Sequence, residues 1–362
     1  MDRGRVLAAR LATQRLSGPP AVDPVQVVRE LLCVQSQDAP LARAMIALRC
    51  DGRAADVQAA VATGALVRTH VLRPTWHYVA AEDLRWLLAL TSVKVESAMA
   101  ARHRQLELDE PRVRAAQEVL SDQLAGRRFA NRNQLGARLA DAGVLDPDDA
   151  RFGQQVGHVL LLGELRAQLC SAPAPEDQHL YALVEEVVRP ADPVDRETAL
   201  TQLVRRFIAG HGPVALTDLT RWARVTLTEG RAALRRLGEE VEPIEVEGEE
   251  LWHTPASALP ETRPRGAWLV STFDEVFLSY RRVGWPRSAH NPDASDAARF
   301  SQAGGGAVLV DGQDVGGWKR RRDRSSPRID LSLDPTLGPT ARASVEAEAE
   351  RLLEVMAPPD PA

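Results

Sequence analysis

The chain has 362 residues, 44% of them hydrophobic, and a formal net charge of -5. That is enough for about two or three units with buried cores, and no run of about eighteen apolar residues is present to span a membrane. Three widely spaced cysteines, Cys33, Cys50 and Cys170, exclude a disulfide framework and a cysteine zinc site and read as small core residues.

In chain order, Met1-Asp2-Arg3-Gly4-Arg5 leads straight into a polar helical pattern. It lacks the apolar core and cleavage site of a signal peptide, so a cytoplasmic protein is expected. Asp23-Pro24 predicts a helix start, because Asp caps and Pro suits the first helical position. Val27, Val28, Leu31 and Leu32 continue that helix on one apolar face, and a break follows at Gln35-Ser36-Gln37-Asp38. Pro40 opens a second helix through Met45 and Leu48, and a third runs from Ala54 to Thr63 and stops at Gly64. Leu66 to Leu72 and Thr75 to Val79 predict strands, with Arg73-Pro74 turning between them. Three helices and a hairpin are the layout of a winged helix.

The same order returns. Residues 110–126 read as helical, Asn131 caps a helix through Leu135 and Leu139, another helix covers 148–165, and 167–170 fits a wing strand. A third copy has a helix over 196–209, a break at Gly210-His211-Gly212-Pro213, and helices capped by Thr217 and Thr228. Its wing spans 241–246 and 250–253 around a Glu-Gly turn. After Pro260 the pattern favours strands: 267–271, 276–278, 307–310, 313–318 and 328–333, with a hairpin turn at Asp311-Gly312 and a last helix over 343–356. The expected fold is mainly α with β wings. It comprises winged helices at 1–95, 96–192 and 193–262, then a small β-rich, barrel-like domain at 263–362.

Lys94 and Lys319 are the only lysines, so 43 of the 45 cationic residues are arginine. A GC-rich genome explains this bias without function; equally, the planar guanidinium fork suits phosphate. The net acidity argues mildly against nucleic acid, but local charge decides. Gln35 and Gln37 allow two readings. They are helix-end amides bonded to backbone, or they orient a water and face a developing cation without titrating. His70 and His77 alternate with apolar residues on the wing strands and are either buried or aimed at DNA. Asp38 supports the glutamines or caps the next helix. The run Lys319-Arg320-Arg321-Arg322-Asp323-Arg324 is a solvated loop or a phosphate contact, and Arg127, Arg128 and Arg132 are further phosphate candidates. Trp222, Trp252 and Trp268 read as core anchors. No GxSxG, HExxH, Walker A or GxGxxG is present, and Gly304-Gly305-Gly306 reads as a flexible loop.

Several segments together resemble one family. Leu32-Cys33-Val34-Gln35-Ser36-Gln37-Asp38 is similar to the Gln-x-Gln signature of winged-helix DNA glycosylases of the AlkZ and YcaQ type. The stretch from Arg68 to His77 resembles that family's Arg-x-Thr-x-His wing. Gly212-Pro213 with Asp218 and Trp222, Phe273-Asp274-Glu275 with Tyr280 and Arg281, and Val310-Asp311-Gly312 with Gly316 and Trp318 follow in the family's order. Gln37 matches the AlkZ-like branch, since the YcaQ branch has Asp there, and Pro74 departs from the glycine expected after Arg73.

The resemblance implies three tandem winged helices on double-stranded DNA and removal of N7-alkylated purines, including bulky adducts and interstrand crosslinks made by genotoxic natural products. Gln35 and Gln37 would be catalytic, with no metal or cofactor. The base leaves as a neutral purine because alkylation has already charged it, so no general acid is required. Lysine scarcity implies a monofunctional enzyme, since strand-cutting glycosylases form a Schiff base with an amine. The rival is a non-enzymatic winged-helix regulator, which usually has one such unit and a dimerisation helix. The sequence has several units and no coiled-coil heptads, so a monomer is expected.

Overall fold

The computed structural model describes residues 2–172, 179–257, 259–281, 285–290, 304–322 and 327–358. By its backbone contacts the chain falls into two compact units, Met1–Val57 with Leu200–Ala362, and Gln58–Ala199. No helix of the described residues is long and apolar enough to cross a membrane.

The first unit begins with α1 (Arg3–Thr13), capped by the Asp2 carboxylate, which accepts from the Arg5 N–H. Helix α2 (Pro24–Glu30) starts at the predicted cap, where Asp23 accepts from Gln26 N–H at 2.7 Å. It does not continue through Leu32 as the apolar face predicts. Leu32 takes φ 66°, a left-handed conformation unfavourable for a branched side chain, and the chain leaves the helix as β1 (Cys33–Gln35). Cys33 therefore sits on a strand, fully buried. Helix α3 (Ala39–Ala47) follows, and in α4 (Ala54–Ala62) the chain enters the second unit.

The second unit opens with β2 (Leu66–His70) and β3 (Trp76–Ala80), an antiparallel hairpin pairing Thr69 with His77 and His70 with Trp76. A 25-residue helix α5 (Ala81–Gln105) that the pattern does not announce comes next, then α6 (Glu110–Leu124). Strand β4 (Ala130–Asn131) precedes α7 (Arg132–Asp141), where Asn131 and Gln134 close a capping box. Helix α8 (Phe152–Leu165), β5 (Leu169–Ser171), β6 (Leu180–Leu183) and the short α9 (Val184–Val187) complete it. The three strands pair in the order β4-β6-β5. Leu106, Val113, Leu120, Leu135, Val159 and Leu169 form part of the core beneath them.

The chain returns to the first unit in α10 (Arg196–His211), followed by α11 (Leu216–Ala223) and α12 (Leu227–Leu237). Neither expected threonine cap is used. Asp218 accepts from the Ala215 N–H at 3.0 Å, and Thr226, not Thr228, caps α12 through a box with Glu229. Strands β7 (Glu242–Val246) and β8 (Glu249–His253) form a hairpin whose turn residues Glu247 and Gly248 both have positive φ.

Beyond it lies a four-stranded antiparallel sheet. It is built from β9 (Ala267–Ser271), β10 (Gly305–Val310), β11 (Gln313–Arg322) and β12 (Pro327–Leu333), in the order β12-β11-β10-β9. The order is linear, with β12 and β9 at the edges, so the expected barrel-like closure is absent among the described residues. Gly305 and Gly306 belong to β10 rather than a flexible loop. A Cβ on Gly306 would lie 1.9 Å from the Val270 carbonyl, so the strand approach itself requires glycine. Val276-Phe277-Leu278, expected as a strand, is part of the helical turn α13 (Glu275–Leu278), started by Asp274 accepting from Val276 N–H at 2.9 Å. Helix α14 (Pro339–Met356) packs on β9 and α3.

Candidate active site

Gln35 ends β1 and is 7% exposed, whereas Gln37, two residues on, is exposed to solvent. The break predicted around them is thus a strand end followed by a helix start. Asp38 is the cap of α3, accepting from Leu41 N–H at 3.2 Å. The helix-cap reading of Asp38 is thus seen directly.

Beneath Gln35 stands a buried polar cluster that the motif does not reveal. Glu275, 1% exposed, accepts the Gln35 backbone N–H on Oε1 at 3.2 Å. Its Oε2 accepts Trp222 Nε1–H at 2.8 Å and the Ser279 hydroxyl at 3.0 Å, with His211 Nε2 at 3.9 Å. His211 stacks on Phe207 with ring centroids 4.7 Å apart, so its ring plane is fixed. The Tyr280 hydroxyl donates to the His211 carbonyl at 2.8 Å and accepts from Gln14 Nε2 at 2.7 Å. Asp274, next to Glu275, holds Arg49 through two bonds of 3.0 and 2.8 Å, both side chains buried. Asp274 is thus matched by a guanidinium, and among the groups on Glu275 are the Gln35 N–H, the Trp222 indole and the Ser279 hydroxyl. The base under the Gln35 loop is consequently polar and held by hydrogen bonds from several elements.

In the second unit His70 is 8% exposed and its Nδ1 lies 2.5 Å from Glu164 Oε2. Glu164 is fully buried; desolvation raises its pKa and the neighbouring His70 works against that rise. His77 is fully buried, with Nδ1 bonded to the Thr75 carbonyl at 2.9 Å, so Nδ1 carries the proton and Nε2 accepts from Arg73 Nη2 at 3.2 Å. Burial, and then the Arg73 charge, hold the His77 pKa well below 6.5. Both nitrogens of the buried His77 ring are thus engaged within the hairpin. On the same hairpin the Arg68 guanidinium lies 4.3 Å over the Trp76 ring and 3.1 Å from His179 Nδ1, a cluster not anticipated from the sequence.

The remaining cationic candidates lie on local structure. Arg127 is exposed, with Nη1 donating to the Glu186 carbonyl at 3.1 Å; Arg128 is exposed, with Nε on the Ala125 carbonyl at 2.8 Å. Arg132, also exposed, donates to the Gly153 carbonyl. Lys319 to Arg322 form the end of β11 rather than a loop, because they pair with β12, Lys319 opposite Asp330 and Arg321 opposite Arg328. Arg321 bonds Asp330 at 2.8 Å, and the two arginines Arg321 and Arg328 hold the Asp330 carboxyl below its usual range. Arg320 is half-buried; the side chain of Arg322, and Asp323 and Arg324 entirely, lie outside the described residues. Trp222 is fully buried as a core anchor, and Trp252 and Trp268 are half-buried.

Comparison with known proteins gives a family. The family profile described as DNA glycosylase AlkZ-like matches residues 28–355. Among solved structures, the DNA glycosylase AlkZ of Streptomyces sahachiroi superposes with a TM-score of 0.78 at 21% identity, covering 98% of this chain and 97% of that one. A protein of Corynebacterium diphtheriae matches at 17% identity over 59% of this chain and 39% of its own, but its TM-score of 0.17 carries no argument. No curated protein matches the chain.

Proposed function

The chain belongs to the AlkZ-like DNA glycosylase family, and from that premise we propose that it hydrolyses the N-glycosidic bond of N7-alkylated purines in double-stranded DNA. The observation that carries this reading is the pair of amides, with Gln37 exposed and Gln35 behind it on a backbone tied to a buried carboxylate. Alkylation at N7 makes the base cationic, so it leaves without prior protonation. The remaining barrier is charge on the sugar and delivery of a water. Gln37 accepts a hydrogen bond from that water and directs it at the anomeric carbon. The Gln35 side-chain dipole faces the developing oxocarbenium.

On this reading the element order helix, strand, helix, helix, hairpin represents three winged-helix units. It occurs from α2 to β3, from α6 to β6, and from α10 to β8. In the third copy the strand position is the Val214 bridge to Trp252. The substrate range extends to bulky N7 adducts and interstrand crosslinks, which fits a role in self-resistance. The reaction ends at an abasic site without strand cleavage, because the only lysines lie on α5 and β11, away from the Gln-x-Gln segment in sequence. The enzyme acts as a monomer.

Release of N7-methylguanine from alkylated duplex tests the reading. Gln37→Ala is expected to lower the single-turnover rate about a hundredfold. Unchanged release would remove Gln37 from the chemistry, and a borohydride-trapped DNA adduct would overturn the monofunctional assignment.

A further inference from the structure

The chemistry assigned to Gln35 and Gln37 leaves the carboxylate behind them without a role. We infer that Glu275 is a positioning residue for excision, anchoring the Gln35 backbone N–H and so fixing where the two amides stand. This rests on the reading that those glutamines act on the substrate.

Several observations converge on it. Glu275 Oε1 holds the Gln35 N–H at 3.2 Å from a position 240 residues away in sequence. Its other oxygen is held by Trp222 of α11 at 2.8 Å and by Ser279, one turn on, at 3.0 Å. A carboxylate with donors on both oxygens has little rotational freedom, so it transmits the position of α11 and α13 to the end of β1. The second pin is Asp38 on Leu41 N–H at 3.2 Å. Gln37 lies between these two pins, on a segment of only three residues from Gln35 to Asp38 exclusive of its start. The backbone that carries its exposed amide is therefore held on either side. A carboxylate at 1% exposure is costly to bury. A role in holding functional groups to within about 0.5 Å accounts for retaining one here.

Glu275→Gln preserves shape but exchanges one acceptor oxygen for an NH2 group. In either orientation it loses Trp222 and Ser279 as donors, or Gln35 N–H. In the folded variant, excision of N7-methylguanine at saturating DNA is expected to fall about tenfold to a hundredfold. Affinity for the lesion duplex should stay within about twofold. Amide exchange over residues 33–38 should accelerate about tenfold, because the Gln35 N–H loses its fixed acceptor. Ser279→Ala removes a single donor from the same carboxylate and should move rate and exchange the same way by about threefold. If Glu275→Gln does not fold, Ser279→Ala decides by those two measurements.

A lower melting temperature with rate and 33–38 exchange both within about twofold of the parent overturns the inference, since a merely structural carboxylate would behave that way. If the parent protein releases no alkylated base, the glycosylase reading fails by itself. The exchange measurement then still decides whether Glu275 holds the loop.

Discussion

Arg49 and Asp274 show how a single buried ion pair organises the first unit. The guanidinium makes two bonds to Asp274 and also donates to the Gln14 and Met45 carbonyls at 2.8 and 2.9 Å. It therefore ties α1, α3 and the start of α13 together, and α13 carries Glu275. Removing one partner leaves an uncompensated buried charge. Asp274→Ala is thus expected to destabilise the first unit by about 3–5 kcal/mol in urea unfolding. Arg49→Met with Asp274→Leu removes both charges and should cost markedly less than the sum of the single changes, because neither leaves an orphan. Additive losses would show that the two side chains act independently. His77 shows the converse arrangement: a neutral ring, kept neutral by burial, serves as an acceptor for the Arg73 cation.

At the scale of elements, the hairpin β7–β8 runs against the behaviour of a DNA-binding wing. Seven glutamates stand between positions 239 and 250. Glu242, Glu245, Glu247 and Glu250 are exposed on the hairpin itself. Such a surface repels phosphate, so this hairpin is expected to lie outside the DNA footprint. Charge reversal by Glu245→Lys and Glu247→Lys should leave the slope of log affinity against log salt unchanged. A wing on the backbone would instead steepen it by about 0.9 per added phosphate contact.

The hairpin was legible in the sequence because its turn is local, with Glu247-Gly248 supplying two positive φ angles. So were α2 from Asp23-Pro24, α7 from Asn131 and the turn at Asp311-Gly312, each set by one or two residues' own dihedrals and hydrogen bonds. What was not legible depends on distant partners. The apolar triplet Val276 to Leu278 carries a strand pattern, but its state is decided by Asp274, whose carboxylate is fixed by Arg49, 225 residues away. β6 is too short to announce itself and exists by pairing with β4 and β5. The two glutamines were visible as a motif. Glu275, which holds one of them, was visible only as part of a resemblance, since nothing local ties it to Gln35.

Over the whole molecule, buried histidines mark the second unit as acid-sensitive. His77, His103, His158 and His179 all lie between Gln58 and Ala199. All four have pKa values below 6.5, with burial the largest cause. His158 is pushed down to about 4 and His179 to about 3, helped by the charges of Arg102 and Arg68 respectively. Each ring is neutral in the fold and takes up a proton on unfolding once the pH is under about 6.5. The stability they contribute is therefore complete above that pH and is lost progressively as the pH falls toward their folded values. The fully buried His77 contributes at most about 1.4 kcal/mol per pH unit below the unfolded value, and the partly exposed rings add less.

Glu164 opposes the trend, because its raised pKa favours the folded state on acidification. One carboxyl does not offset four rings. Amide protection across 58–199, once the slower intrinsic exchange in acid is allowed for, is therefore expected to fall between pH 7 and pH 5, with His77→Gln, which has no proton to gain, flattening the dependence. Protection in this unit that is level from pH 7 to pH 5 would mean that these rings take up protons as readily in the folded protein as in the unfolded chain, and that the Arg73–His77 hydrogen bond does not hold Nε2 as an acceptor.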